Sequence, residues 1–414
     1  TGLTLSISTP NRHLQYNDVA AGEVWLCSGQ SNMAFRTSSM DPQERSEALA
    51  TAERQGKKVR LFNMRARWHT DNVTWKKEIY DSLNRLQYFR PAEWMNSSKF
   101  SADAFSAVGL SFGQMLSDSL DVPIGLIMNA VGGSPAESWI DRKTLEFEFP
   151  DILYNWLKND FIQAWVRERA AFNIKDAENP LQRHPYEPCY LFEAGVEPLE
   201  HFPIRGVIWY QGESNAHNIE AHERLFPLLV QSWRSYWDNP DMPFLFVQLS
   251  SLNRPSWTWF RDSQRRLAET VPNCAMAVSS DRGDSLDVHP VRKLDVGRRL
   301  GAQALYNVYG DKNIVPSGPM IKSAHLKGRH VVLSFDWAEG LQSSDGQDLR
   351  TFELAGEDEQ FHPADAIVDG SQIRLRCAEV FEPKWVRYAW QPFTRANLVN
   401  GALLPASTFR INVE

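Results

Sequence analysis

The strongest constraint on this chain is a repeated pattern: a short apolar run, a polar turn, then a stretch with helical spacing. Val24-Trp25-Leu26-Cys27 runs into Ser28-Gly29, and Val59-Arg60-Leu61-Phe62 is a second strand candidate. Val122 to Met128 reads as a buried strand ending at Asn129, and Ile204 to Tyr210, Phe244 to Leu249 and Cys274 to Val278 repeat the theme. Phe105, Val108, Phe112, Met115 and Leu116 recur at amphipathic helical spacing, and further helices are expected near 219–236, 258–269 and 291–306. Strands alternating with helices predict an α/β fold with a mostly parallel sheet and helices on both faces.

After Asp311 the helical pattern stops. Val331 to Phe335, Ala366 to Val368, Ile373 to Arg376 and Trp385 to Trp390 are short strands broken by Gly, Pro and Asp. They predict an all-β, sandwich-like accessory domain over 312–414. Residues 22–311 form the α/β domain, and 1–21, with Leu3-Thr4-Leu5-Ser6-Ile7, form a strand region expected to complete the β domain. The length of 414 residues suits two or three domains, and 43% hydrophobic content is ordinary for a folded protein. A net charge of −7 argues against nucleic acid as a partner, and no apolar run is long enough to span a membrane. Cys27, Cys189, Cys274 and Cys377 are too scattered for a Cys-x-x-Cys motif and allow two disulfides at most.

In an open α/β sheet, ligands bind beyond the carboxyl ends of the strands. The residues following four strands therefore share one rim: Gln30-Ser31-Asn32, Gly132-Gly133-Ser134, Gln211 to Asn215, and the loop from Asp281 to Pro290. Together they hold a hydroxyl nucleophile, backbone donors, amides, a histidine and carboxylates, the parts of a serine esterase. Ser31 follows a strand and opens a helix, so it is either the nucleophile or a simple cap. Ser134 and Ser214 are rivals without a better setting. Met33 stands where a Gly-x-Ser-x-Gly elbow needs glycine, which disfavours the α/β-hydrolase fold. Gly132-Gly133 permits a turn that aims an N–H at an oxyanion, and either Gln211 or Asn215 supplies an amide. His289, beside Pro290 at the start of the last helix, is the candidate base, with Asp284 and Asp287 able to orient it. His13, His69, His325, His330 and His362 lie outside the rim loops, and the five-residue spacing of His217 and His222 does not suit a metal site.

Gly22-Glu23-Val24-Trp25-Leu26-Cys27-Ser28-Gly29-Gln30-Ser31-Asn32-Met33 closely resembles the first block of the sialate O-acetylesterase family, in the SGNH hydrolase superfamily. Val131 to Trp139, Val207 to Ala216, and Asp287-Val288-His289-Pro290 with Lys293, Gly297 and Arg299 resemble later blocks. Val386 to Trp390 and Leu404 to Ser407 resemble the family's β domain. The resemblance implies a three-layer αβα domain with an accessory β domain, and hydrolysis of acetyl esters on sugars without a cofactor. It assigns Ser31 as nucleophile and His289 as base. The oxyanion donors would be the Ser31 N–H, an N–H at Gly132 or Gly133, and an amide from Gln211 or Asn215. It also implies a secreted or periplasmic setting, where acetylated glycans are met.

The chain departs from the pattern twice. The superfamily commonly places Asp three residues before the histidine, where this chain has Leu286. The third member is therefore Asp287, another carboxylate or a backbone carbonyl, the last leaving a Ser–His dyad. Glu193, in Leu191 to Val196, replaces an Asn expected near the substrate, so acetylated xylan or xyloglucan stands beside sialic acid as a possible substrate. A non-catalytic sugar-binding protein on the same fold is the reading from another class. Twelve of the 15 Trp precede Asp311, so the β domain is read as a buttress rather than a sugar-binding appendage. Trp25, Trp139 and Trp209 are expected in the core. Trp257 and Trp259, following the strand Phe244 to Leu249 on the same rim, are the candidates for stacking on a sugar.

Overall fold

In a computed structural model that describes residues 2–414, the apolar runs form one seven-stranded sheet. Its strands follow a two-stranded hairpin, β1 (Leu3–Thr9) and β2 (Arg12–Val19). They are β3 (Glu23–Gly29), β4 (Val59–Asn63), β5 (Trp94–Asn96), β6 (Ile124–Ala130), β7 (Gly206–Tyr210), β8 (Phe244–Val247) and β9 (Cys274–Ala277). The order is β5-β4-β6-β3-β7-β8-β9, with only β5 antiparallel to its neighbour. β6, β7 and β8 are buried at every position, which is why they lack alternation.

Each sheet face carries its own apolar core. Trp139, Trp209 and Trp233 pack on one side, and Trp25, Phe112 and Phe260 on the other. The helices Ala107–Leu120, Ile219–Tyr236, Trp257–Thr270 and Leu294–Asn307 stand close to where their periodicity places them. The last begins three residues later than expected, leaving His289 in a loop. The helix Pro42–Gln55 was not anticipated, although its start is written locally. The Asp41 carboxylate accepts from the N–H groups of Gln43 and Glu44, and Pro42 occupies the first turn.

The C-terminal strands form two four-stranded antiparallel sheets over a core that includes Leu333, Phe352, Ile373, Tyr388 and Phe409. The β1–β2 hairpin pairs with neither; Asp18 ties it to Arg60 of β4 instead. All four cysteines are free thiols, and no helix among the described residues is long and apolar enough to cross a membrane.

Arg261 ties the two units together, beside the Leu252 N–H that donates to the Pro392 carbonyl. Its buried guanidinium donates to the carbonyls of Ala389, Gln391 and Pro392 at 2.7–3.0 Å. Trp259 meets Trp390 edge-on at 5.0 Å, and Arg410 stacks over Trp259 at 5.1 Å. Replacing Arg261 with Met would leave three inward-facing carbonyls without their charged donor. Hydrogen bonds to charged groups are worth more than neutral ones, so Arg261→Met should destabilise the protein by about 3 kcal/mol or more in chemical denaturation. A loss below about 0.5 kcal/mol would show that Arg261 does not hold the units together.

Candidate active site

β3 ends level with both neighbours: Gly29 is paired with Ala130 of β6 and Tyr210 of β7. The Gln30 N–H then reaches the Tyr210 carbonyl at 3.0 Å, extending the ladder by one residue before the chain turns. The turn needs Gly29, whose φ is +133° and where a Cβ would stand 2.2 Å from the Tyr210 carbonyl oxygen. The Gln30 side chain accepts from the N–H of Ser214, bracing this turn against the one after β7. Ser31 is the first residue of the four-residue helix Ser31–Ala34, with Gln30 at the cap position. Ser31 is therefore not spent as a cap.

Ser31 and His289 line one cavity of about 740 Å³ at the carboxyl end of the sheet. Gly132 and Gly133 line it too. Gly133 has φ +75°, and a Cβ there would lie 2.3 Å from the Tyr186 hydroxyl oxygen. That hydroxyl donates to the Gly132 carbonyl at 2.8 Å, so the carbonyl is held and the neighbouring N–H is left for a ligand. Neither the Ser31 nor the Gly132 N–H has an acceptor among the described residues. The rival serines are buried: Ser134 donates to the Val131 carbonyl at 2.8 Å and Ser214 to the Gly133 carbonyl at 3.0 Å.

His289 stands on a loop shaped by its own acids. The Asp284 carboxylate accepts from the N–H groups of Leu286 and Asp287, and Asp287 accepts from the His289 N–H at 2.8 Å. The Asp287 oxygen is 3.8 Å from His289 Nδ1, beyond hydrogen-bond range. Partial burial and the nearby Lys293 ammonium push the imidazole below its ordinary value, against the pull of Asp287. This favours the neutral ring, the form a base needs.

The remaining expected residues lie elsewhere. Gln211 and Asn215 are buried and bonded within the protein. Gln211 Nε2 donates to Asn215 Oδ1 at 2.6 Å, and that oxygen also accepts from the Ala136 N–H. Asn215 Nδ2 donates to Glu137 at 2.9 Å. Glu193 is held by Arg142 and Arg183 and lines a different cavity, with Arg142 and Phe192. Trp257 is buried and donates to the Ser250 carbonyl, while Trp259 is half-exposed against the β unit.

Several cavity residues had no place in the sequence reading. Arg65, Trp68, His69, Thr70 and Asp71 follow β4, and Arg36, Arg90, Trp165, Arg169 and Arg254 also line the cavity. The loop after β4 was legible, because the rule that ligands sit beyond strand ends applies to it as to the others. His69 therefore belongs to the site region after all. Behind Ser31, Asn32 Nδ2 donates to Glu213 at 2.5 Å and to the Val288 carbonyl at 3.0 Å. Asn32 Oδ1 accepts from Lys293 at 2.5 Å.

Residues 21–306 match the family model described as carbohydrate esterase, sialic acid-specific acetylesterase. The sialate O-acetylesterase of Rattus norvegicus is 30% identical over 385 residues, covering 84% of this chain and 68% of the relative. The Homo sapiens sialate O-acetylesterase is 30% identical over 371 residues, covering 83% of this chain and 64% of the relative. A crystal structure of a carbohydrate acetylesterase from Xanthomonas citri superposes with a TM-score of 0.79 at 30% identity, covering 99% of this chain and 84% of that one. With the fold and the match running through every rim block, the chain belongs to the sialate O-acetylesterase family of SGNH-type carbohydrate esterases.

Proposed function

We propose that this carbohydrate O-acetylesterase acts on an acidic sugar, O-acetylated sialic acid first among them, through Ser31 and His289. Ser31 Oγ attacks the acetyl carbonyl while His289 takes its proton, through Nε2 because Nδ1 faces Asp287. The N–H groups of Ser31 and Gly132 receive the oxyanion. His289 then protonates the departing sugar oxygen. Water, activated by the same ring, attacks the acyl-enzyme and releases acetate. Neither Gln211 nor Asn215 lines the cavity, so the oxyanion is assigned to backbone donors alone.

The observation that carries the choice of sugar is the charge of the cavity. Arg36, Arg65, Arg90, Arg169 and Arg254 line it, against Asp71 and Glu213. None of these arginines forms an ion pair among the described residues, in a chain whose net charge is −7. Burial, with Arg36 and Arg90 nearby, pulls the Arg65 guanidinium down from its ordinary value. Arginine suits planar carboxylate recognition, and such a site favours a sugar that carries one. Trp68 and Trp165 offer apolar surface for a ring. Extracytoplasmic action is part of this reading, since acetylated glycans are encountered there.

Ser31→Ala and His289→Ala should each lower kcat for acetyl ester hydrolysis by about a thousandfold or more, with the fold retained by circular dichroism. Full activity in either variant would remove that residue from the mechanism. The kcat/KM profile should hold level above about pH 6.5 and fall only at lower pH, because the depressed imidazole must protonate before the base is lost. An acid limb centred above that value would contradict the assigned base. Acetate release from O-acetylated sialic acid should exceed that from acetylated xylan and xyloglucan oligosaccharides by about tenfold in kcat/KM, and added salt should narrow the gap. Faster turnover of the plant oligosaccharides would replace sialic acid as the substrate.

A further inference from the structure

We infer that Asn32, held between Glu213 and Lys293, positions His289 opposite Ser31 in place of a tightly bonded aspartate. The inference rests on the Ser31–His289 reading and concerns what keeps that pair in register. Asn32 immediately follows the nucleophile. Its amide donates to the carbonyl of Val288, the residue immediately before the base, at 3.0 Å. One side chain therefore links the turn that carries Ser31 to the loop that carries His289, two segments otherwise 258 residues apart.

The surroundings give that amide a single orientation. Its nitrogen faces two acceptors, the Glu213 carboxylate and the Val288 carbonyl, while its oxygen faces the Lys293 ammonium. A flipped amide would set oxygen against oxygen and nitrogen against ammonium. Asn32, Glu213 and Lys293 are all buried, so these bonds act in a poorly screened interior. The ammonium lies 4.9 Å from the Phe35 ring centroid and 5.5 Å from that of Tyr210. The Glu44 carboxylate accepts from the N–H groups of Lys293 and Leu294, fixing where the lysine leaves the chain. Asp287 is spent differently: it is largely exposed, bonds the His289 backbone N–H and leaves the imidazole at 3.8 Å.

Lys293 has a second effect. The charged groups that act on the imidazole are Lys293 at the following helix and Asp287 on its own loop, and Glu213 after β7 and Arg254 after β8 line the same cavity. Burial pushes Lys293 down to about 7, opposed by Glu213, Asp287 and Glu44. Below that pH it is cationic, so its charge is present throughout the acid limb of His289 and holds that limb low. Removing the charge should move the limb to higher pH.

The test uses the full chain and an acetyl ester substrate. Asn32→Ala should lower kcat about thirtyfold or more with KM changed less than about threefold, the pattern of a displaced base rather than weakened binding. Asn32→Asp fills the same volume but turns an acceptor toward Glu213 and Val288, so it should be as damaging, where a space-filling role would tolerate it. Lys293→Met should shift the acid limb of kcat/KM upward, and Lys293→Arg should keep it near the wild-type position. Asp287→Asn should cost less in kcat than Asn32→Ala. An Asn32→Ala enzyme within about threefold of wild-type kcat overturns the inference, as does an unmoved acid limb in Lys293→Met. If Asn32→Ala fails to fold, the lysine pair and Asp287→Asn decide, and a larger loss from Asp287→Asn than from Lys293→Met returns the positioning role to the aspartate. These outcomes are separable from the parent reading: an active Ser31→Ala enzyme sinks the nucleophile, whereas Ser31-dependent activity indifferent to Asn32 sinks only the positioning network.

Discussion

The register of β3 between β6 and β7 governs where every group at the site stands. Parallel pairing brings Gly29, Ala130 and Tyr210 level, so three loops leave the sheet at one height. The hydrogen bond from Gln30 to Tyr210 carries that alignment one residue further and delivers Ser31 to the cavity. A slip of one residue would reverse the side chains of a strand buried on both faces, and the two cores would resist it. The nucleophile's placement is thus a consequence of backbone pairing at the middle of the sheet.

Around that frame, polar groups divide into those that hold the site and those that face a ligand. Gln211, Asn215 and Glu137 form a buried set beneath the glycine turn, with their hydrogen-bonding capacity turned inward. Glu213 stands at the border, touching the cavity while bonding Asn32. The arginines of the cavity form no ion pair among the described residues. Elsewhere the chain pairs its arginines freely, as Arg299 does with Asp281 and Arg387 with Glu353. The contrast is the physical basis of the proposal that the cavity takes an anionic sugar.

Much of the fold was legible because it is driven by burial. Continuous apolar runs such as Ile204 to Tyr210 found their strands, and Ile219–Tyr236 follows its periodicity from end to end. The helix Pro42–Gln55 escaped notice because its residues are mostly polar, leaving only its cap to announce it. The hairpin β1–β2 could not be placed from composition, since what holds it is a pair of bonds from Arg60 to Asp18. Among the aromatics, burial separated Trp257 from the surface, and contact with Trp390 drew Trp259 to the neighbouring unit. Both follow the right strand, but helix phase, not chain position, determines which way a side chain points.

The sequence by itself determined the layered α/β architecture, the rim at the strand ends, the family, and the candidacy of Ser31, His289 and Gly132-Gly133. These follow from local order: periodicity, turns, and motifs a few residues long. Only the tertiary structure decided which amides remain available, that Asp287 bonds a backbone N–H rather than the imidazole, and that Asn32 joins the Ser31 turn to the His289 loop. It alone brought five arginines from separate parts of the chain to one cavity. The physical reason is that hydrogen bonds and charge fields depend on distances of a few ångströms between segments that the chain keeps hundreds of residues apart.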